Sequence, residues 1–146
     1  MRETADLKVL GGTEVKIPSI GLRTWGIGGY GARDTSRDKE AIEALQRGIE
    51  LGMWSIDTAE MYGVGHSEEL VGQAIKDFPR EKVFIISKVL NTHLEYKEVI
   101  KACQRSLKRL QADFIGLYLI HFPSYRIPLR ETMGAMEKLV EQGLEY

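Results

Sequence analysis

Cysteine is almost absent from this chain of 146 residues, since Cys103 is the only one. A single cysteine excludes an internal disulfide and any zinc site built from several thiolates. Long apolar runs are also missing: none approaches the roughly 20 residues of a membrane span, and the first residues lack the apolar segment of a secretory signal. These absences predict a cytoplasmic protein that does not cross a membrane.

A strong net charge is missing too, because 20 basic residues stand against 21 acidic ones, for a net charge of -1. Such a balance gives no general attraction to nucleic acid or to an anionic membrane. The 43% of hydrophobic residues is ordinary for a globular protein. We find no linker or low-complexity stretch, so residues 1–146 are expected to form a single domain.

Strand patterns and helix patterns alternate along the chain. Two short runs around Gly11 and Gly12 predict a β-hairpin over about 7–17, and four strand–helix units follow over about 19–143. The strands are predicted at 19–22, 54–57, 83–86 and 114–120, and the helices at about 35–50, 67–78, 95–110 and 129–142. A capping box of Thr35 and Asp38 is expected to begin the first helix, and Gly52 is expected to end it.

Alternating strands and helices at this spacing favour a parallel sheet with right-handed connections. Two α/β architectures fit four such units: half of an eight-stranded barrel, or a small open doubly wound sheet. The third predicted strand is apolar throughout, which is typical of a strand covered on both faces. The pattern alone leaves the two architectures open.

Polar residues gather where the predicted strands end. Asp57 closes the second strand and Tyr62 lies just beyond it, Lys88 follows the third strand, and His121 follows the fourth. The carboxyl ends of parallel strands meet at one edge of a sheet, so these four side chains are expected to converge.

The four side chains have a joint chemistry. A phenol is a weak acid at neutral pH, and an adjacent ammonium group favours its ionised form, so Lys88 would make Tyr62 a useful general acid. Asp57 would hold Lys88 charged and aimed, and His121 could donate a hydrogen bond to a substrate carbonyl. No side chain supplies hydride, so a reduction at this site needs a nicotinamide cofactor.

Each of these residues has an ordinary structural role when it is taken singly. Asp57 fits a turn, Tyr62 a loop, Lys88 a solvated strand end and His121 a satisfied position beside a buried strand. Only their conjunction favours catalysis. The remaining histidines, His66 and His93, are predicted to be ordinary loop residues.

The motifs resemble those of the aldo-keto reductase family, in the family's order and spacing. They are Gly21-Leu22-Arg23-Thr24-Trp25-Gly26, Ile56-Asp57-Thr58-Ala59-Glu60-Met61-Tyr62-Gly63, Ser87-Lys88-Val89 and Leu117-Tyr118-Leu119-Ile120-His121-Phe122-Pro123. The resemblance implies the N-terminal (β/α)4 half of a TIM (β/α)8 barrel, with a catalytic tetrad of Asp57, Tyr62, Lys88 and His121. Tyr62 would be the proton donor, NADPH the hydride donor, and small aldehydes or ketones the substrates. It further implies cofactor contacts at Thr24 and Asp57, and a substrate-pocket wall at Trp25; a metal is not expected.

The resemblance has limits. Arg23 stands where the family usually has glycine, and most of the family's cofactor site lies in a C-terminal half that this sequence does not contain. The chain alone is therefore expected to be inactive. The alternative is a truncated or engineered half-barrel that serves structure or assembly and keeps the tetrad as a relic. A small open-sheet binding module is a third hypothesis.

Half of a barrel leaves its first and fourth strands with unpaired edges, and an apolar inner face open to water. A two-fold dimer could pair strand four of one chain with strand one of the other and close eight strands. The sequence therefore predicts a homodimer.

Overall fold

The computed structural model describes residues 6–144. Its strands are β1 Leu7–Val9, β2 Lys16–Pro18, β3 Leu22–Arg23, β4 Ser55–Asp57, β5 Phe84–Val89 and β6 Leu117–Ile120. Its α-helices are α1 Asp38–Glu50, α2 His66–Ala74, α3 Tyr96–Leu110 and α4 Leu129–Glu141. Within residues 6–144, no helix is both long enough and apolar enough to cross a membrane.

The strands form two sheets. β1 and β2 pair antiparallel as the predicted hairpin, and the other four form one parallel sheet in the order β3-β4-β5-β6. Neighbours in the sheet are thus neighbours in the chain, whereas a doubly wound sheet reverses its strand order. The fold prediction of a (β/α)4 half-barrel is confirmed.

The core lies between the sheet and one layer of helices. Along β5 the side chains alternate, so that Ile85, Ser87 and Val89 are buried while Phe84, Ile86 and Lys88 are only partly buried. The prediction of cover on both faces is wrong for the described residues, because the helices pack on one face only. The other face, which we call the open face, carries the polar strand ends.

The start of α1 differs from its prediction. The helix begins at Asp38, its N-cap residue is Arg37, and no side chain caps it. The capping box of Thr35 and Asp38 is therefore wrong. The Asp38 carboxylate instead lies 2.8 Å from Nε2 of His66, so a contact with a distant residue replaces the local one.

The end of α1 follows the sequence. Gly52 has a φ of +96°, and its N–H donates to the carbonyl of Ile49 at 3.0 Å, while the N–H of Met53 donates to the carbonyl of Gly48 at 3.0 Å. This pair of bonds is the Schellman motif, which glycine favours because it adopts a positive φ without strain. The predicted stop at Gly52 is confirmed.

β5 extends three residues beyond its predicted end at Ile86. The extension includes two polar residues whose side chains find partners on opposite faces. Ser87 donates to Glu68 of α2 at 2.6 Å, and Lys88 reaches Asp57 of β4 at 2.6 Å. Polar residues are thus accommodated in the strand, and Lys88 is fixed on the sheet itself.

Candidate active site

The four tetrad residues lie together at the carboxyl end of the sheet. Asp57 ends β4, Lys88 lies in β5 beside it, and His121 directly follows β6, with its N–H donating to the carbonyl of Val89 at 2.9 Å. Tyr62 begins a short 3-10 turn, Tyr62–Gly65, after β4. The parallel register thus brings together residues that are 64 positions apart, as the numbers of Asp57 and His121 show.

The Lys88 ammonium is the centre of the cluster. Its Nζ donates to Oδ1 of Asp57 at 2.6 Å and to the carbonyl oxygen of Thr58 at 2.8 Å. The hydroxyl oxygen of Tyr62 lies 3.5 Å from the same Nζ. A cation at this distance stabilises negative charge on the phenol oxygen, which is the requirement for a tyrosine that gives up a proton.

Tyr62 is held by backbone geometry and by aromatic contacts. Gly63 has a φ of +57°, and a side chain there would collide with the carbonyl oxygen of Gly28, so the turn that aims Tyr62 needs glycine after it. Its ring makes edge contacts with Trp25 at 4.9 Å and with His121 at 5.5 Å between centroids. Tyr62 is 1% exposed.

The imidazole of His121 stacks on Phe122, with centroids 4.5 Å apart and planes at 9°. Burial lowers the pKa of His121, and the nearby Lys88 lowers it further, while Asp57 opposes the shift. The ring is therefore neutral at neutral pH, and one of its nitrogens carries a hydrogen that it can donate. Among the described residues, its buried Nδ1 has no hydrogen-bond partner.

Thr24 and Trp25 lie in the segment that follows β3. Thr24 is buried, and both its N–H and its hydroxyl approach the carbonyl oxygen of Asp57, at 2.9 and 3.3 Å. Its observed contacts thus fix the end of β4. Trp25 is 46% exposed, and its ring lies against Tyr62; its role as a wall of the substrate pocket stays a prediction.

The sequence did not indicate the role of Glu60. Its Oε1 accepts hydrogen bonds from the N–H of Leu90 at 2.7 Å and pairs with Nδ1 of His93 at 2.9 Å. The segment that carries Tyr62 is thereby tied to the segment after β5. The only signal was an acidic residue in the middle of an otherwise apolar stretch, Ala59-Glu60-Met61.

The structure gives contacts to two further residues, of which His66 departs from its predicted place. His66 does not lie in a loop; it begins α2, is buried, and bridges Asp38 of α1 and Glu69 at 2.8 and 2.7 Å. Arg23 interacts with the hydroxyl of Tyr62, and this hydrogen bond is the first cause that raises the pKa of the guanidinium. The contacts of His66 with Asp38 and of Arg23 with Tyr62 cross between elements, which no local pattern shows.

Comparison with known proteins gives matches to a single family. The sequence model of the Aldo/keto reductase family matches residues 19–144. Methylglyoxal reductase YeaE of Escherichia coli is 45% identical over 130 residues, which cover 89% of this chain and 44% of the relative. Aldo-keto reductase YhdN of Bacillus subtilis is 37% identical over 142 residues, which cover 90% of this chain and 42% of that protein. The chain thus spans less than half the length of these relatives.

Solved structures share the fold as well. The thermostable aldo-keto reductase Tm1743, solved with the inhibitor epalrestat, superposes with a TM-score of 0.93 at 52% identity, over 95% of this chain and 51% of that one. An aldo/keto reductase of Klebsiella pneumoniae, solved with NADP and acetate, gives a TM-score of 0.83 at 43% identity. The match covers 90% of this chain and 44% of that chain. The four strands and four helices therefore correspond to one half of these reductases.

Proposed function

The chain belongs to the aldo/keto reductase family, and on that premise we propose that it supplies the catalytic half of an NADPH-dependent reductase of small aldehydes and ketones. The observation that carries the proposal is the position of Lys88, whose Nζ lies 2.6 Å from Asp57 and 3.5 Å from the hydroxyl of Tyr62. This arrangement is the one that a phenolic proton donor requires.

Each residue of the tetrad has one role in the proposal. Tyr62 gives its proton to the carbonyl oxygen of the substrate, and Lys88 stabilises the phenolate that remains. Asp57 holds the ammonium in place through the 2.6 Å contact. His121, neutral because its pKa is lowered, donates a hydrogen bond that orients the same carbonyl oxygen.

The cofactor supplies hydride to the carbonyl carbon, and the residues at the strand ends fit its place. Asp57 uses Oδ1 for Lys88 and its side chain is 31% exposed, so the carboxylate can also accept a hydrogen bond from a sugar hydroxyl. Thr24 fixes the backbone beside it. NADPH is favoured because the Klebsiella pneumoniae reductase was solved with NADP and with NADPH. Thr24 and Asp57 remain predicted cofactor contacts.

We also propose that residues 1–146 alone do not catalyse the reduction. The chain spans 44% of YeaE, so most of the contacts that hold a cofactor in such a reductase would come from outside it, and hydride transfer depends on that positioning. Titration of NADPH fluorescence by the isolated chain tests this point: no change is expected, and tight quenching would contradict it.

A chimera tests the catalytic proposal. Residues 1–146 would be fused to the C-terminal half of YeaE, and NADPH oxidation would be measured with a neutral aromatic aldehyde. We expect turnover that falls by about 10²-fold or more in Tyr62→Phe, because the variant has no proton to give. Tyr30→Phe is the matched control, since that ring also contacts Trp25, at 5.6 Å between centroids, and should keep full turnover.

The alternative function is structural. If the folded chimera binds NADPH and shows no turnover, the tetrad is a relic and the catalytic proposal fails. Two further expectations accompany the catalytic proposal: the chain acts in the cytoplasm, and on its own it forms a homodimer through its strand edges.

A further inference from the structure

Arg23 lies on the open face of the sheet, beside the tetrad. Its neighbour Leu22 points to the helices, where its side chain packs against Gly48 of α1. Successive residues of a strand face opposite sides, so Arg23 points away from the helix layer. Its register partner across the ladder is Asp57.

The two carboxylates near the tetrad already have close partners. Asp57 makes its ion pair with Lys88 at 2.6 Å, and Glu60 makes a hydrogen bond with Nδ1 of His93 at 2.9 Å. No ion pair within residues 6–144 includes Arg23. Among the described residues, the mouth of the site therefore carries two cations, Lys88 and Arg23, beside the single carboxylate of Asp57.

Arg23 is electrically coupled to the reacting groups. Its interaction with Tyr62 raises the pKa of the guanidinium, and its charge is one cause of the lowered pKa of His121. The guanidinium thus lies near the place where a substrate carbonyl must approach Tyr62 and His121. Trp25 and Phe122 are each 46% exposed. Their rings contact Tyr62 and His121, so they offer apolar surface beside the tetrad.

We propose that Arg23 binds a carboxylate of the substrate and makes the site selective for 2-oxo acids, in which a carboxylate adjoins the carbonyl. The planar guanidinium can bind both carboxylate oxygens, and the adjacent carbonyl oxygen then lies at Tyr62. This inference rests on the proposed function. The reaction would turn the 2-oxo acid into a 2-hydroxy acid, with hydride from the nicotinamide cofactor to carbon and the proton of Tyr62 to oxygen.

Binding to the 146-residue chain, measured by calorimetry, tests this inference without any need for turnover. The probes are phenylglyoxylate and its neutral methyl ester, which differ in charge and share the ring and the ketone. We expect the acid to bind about tenfold more tightly or better, as a charge-assisted hydrogen bond implies. That preference should disappear in Arg23→Gln and remain in part in Arg23→Lys. Arg37→Gln is the control, because Arg37 is exposed and paired with Glu40 at 3.1 Å.

Three outcomes would overturn the inference: equal binding of acid and ester, a preference that survives in Arg23→Gln, or displacement of the acid by equimolar pyrophosphate. The last would assign Arg23 to the phosphates of the cofactor. If the chimera reduces a neutral aldehyde while the chain shows no charge preference, this inference fails and the proposed function stands. If the charge preference is present and the folded chimera reduces nothing, the binding site stands and the proposed function fails.

Discussion

His121 illustrates how single residues set the chemistry of the site. Burial, Lys88 and Arg23 all lower its pKa, while Asp57 and Glu60 raise it. The net shift of the pKa is downward. The side chain of Arg23 makes none of the tetrad contacts of Lys88, so its replacement leaves those contacts in place. Its effect on the imidazole can therefore be measured separately.

We predict that Arg23→Gln raises the pKa of His121. Loss of a nearby positive charge makes the imidazolium less unfavourable. The measurement is an NMR titration of the His121 ring protons. Arg37→Gln serves as the reference, because Arg37 is the exposed N-cap residue of α1 and is not among the groups that shift the pKa of His121. An unchanged titration in Arg23→Gln would mean that the guanidinium does not act on this ring.

The lowered pKa also fixes a pH dependence of stability. Because the folded value lies below the ordinary 6.5, the unfolded chain takes up this proton first as the pH falls, and unfolding is favoured. The contribution of His121 is thus complete above about pH 6.5 and is lost as the pH falls toward the folded value. Urea unfolding at about pH 7.5 and about pH 5 measures how much unfolding free energy is lost on acidification. That loss should be smaller in His121→Gln than in the unchanged chain.

The four tetrad residues could be placed from the sequence because each stands at the end of a strand or in the turn after it. Topology alone then brings them together. Arg23, Glu60 and His66 could not be assigned, since their contacts depend on how far a side chain reaches between elements. Local patterns carry no information about such distances.

At the scale of elements, helix packing requires glycine at a specific place. A Cβ at Gly72 of α2 would lie 2.7 Å from the carbonyl oxygens of Arg109 and Leu110, at the end of α3. Those are backbone atoms that cannot move aside. By contrast, the nearest atom to a Cβ at Gly134 of α4 is 3.9 Å away, on the ring of Tyr96.

We predict opposite effects for the two matched substitutions. Gly72→Ala should lower the free energy of unfolding by about 1–3 kcal/mol through overpacking. Gly134→Ala should raise it by about 0.5–1 kcal/mol, because alanine restricts the unfolded chain and fits the helix. Urea unfolding of both variants checks the pair. A neutral Gly72→Ala would show that α2 and α3 lie farther apart than the 2.7 Å approach implies.

A buried ion pair joins the same two helices. Glu68 of α2 is fully buried, and its carboxylate accepts from Arg109 at 2.6 Å and from Ser87 of β5 at 2.6 Å. Removal of the guanidinium leaves an uncompensated buried charge. Arg109→Met should therefore cost about 3–5 kcal/mol of unfolding free energy.

The double variant of this pair is the control. With Glu68→Gln present, the charge that Arg109 balances is gone, so the added Arg109→Met should cost less than it does alone. If the two substitutions cause additive losses of unfolding free energy in this double-mutant cycle, Glu68 and Arg109 do not interact directly. The pair was not predictable from the sequence, since Glu68 and Arg109 are separated by 41 positions, as their numbers show.

At the scale of the whole molecule, the sheet has two edges and one open face among the described residues. β3 pairs only with β4, and β6 pairs only with β5. Leu119 of β6 is 36% exposed, and its strand edge offers unpaired N–H and C=O groups. The pattern of strands and helices left two architectures open, and only the resemblance of the motifs implied the half-barrel. The alternation of burial along each strand could not be predicted, because it depends on what covers the open face.

The homodimer prediction follows from those edges. If β6 of one chain pairs with β3 of a second, both edges close and the two open faces meet as the interior of eight strands. A charge at Leu119 would then enter that interior, so Leu119→Lys should convert the dimer to a monomer in sedimentation equilibrium at micromolar concentration. Met133→Lys places the same charge on α4, at a residue that is 50% exposed, and should leave the dimer intact. A monomeric unchanged chain would contradict the prediction outright, and dissociation by Met133→Lys alone would move the contact from the strand edges to α4.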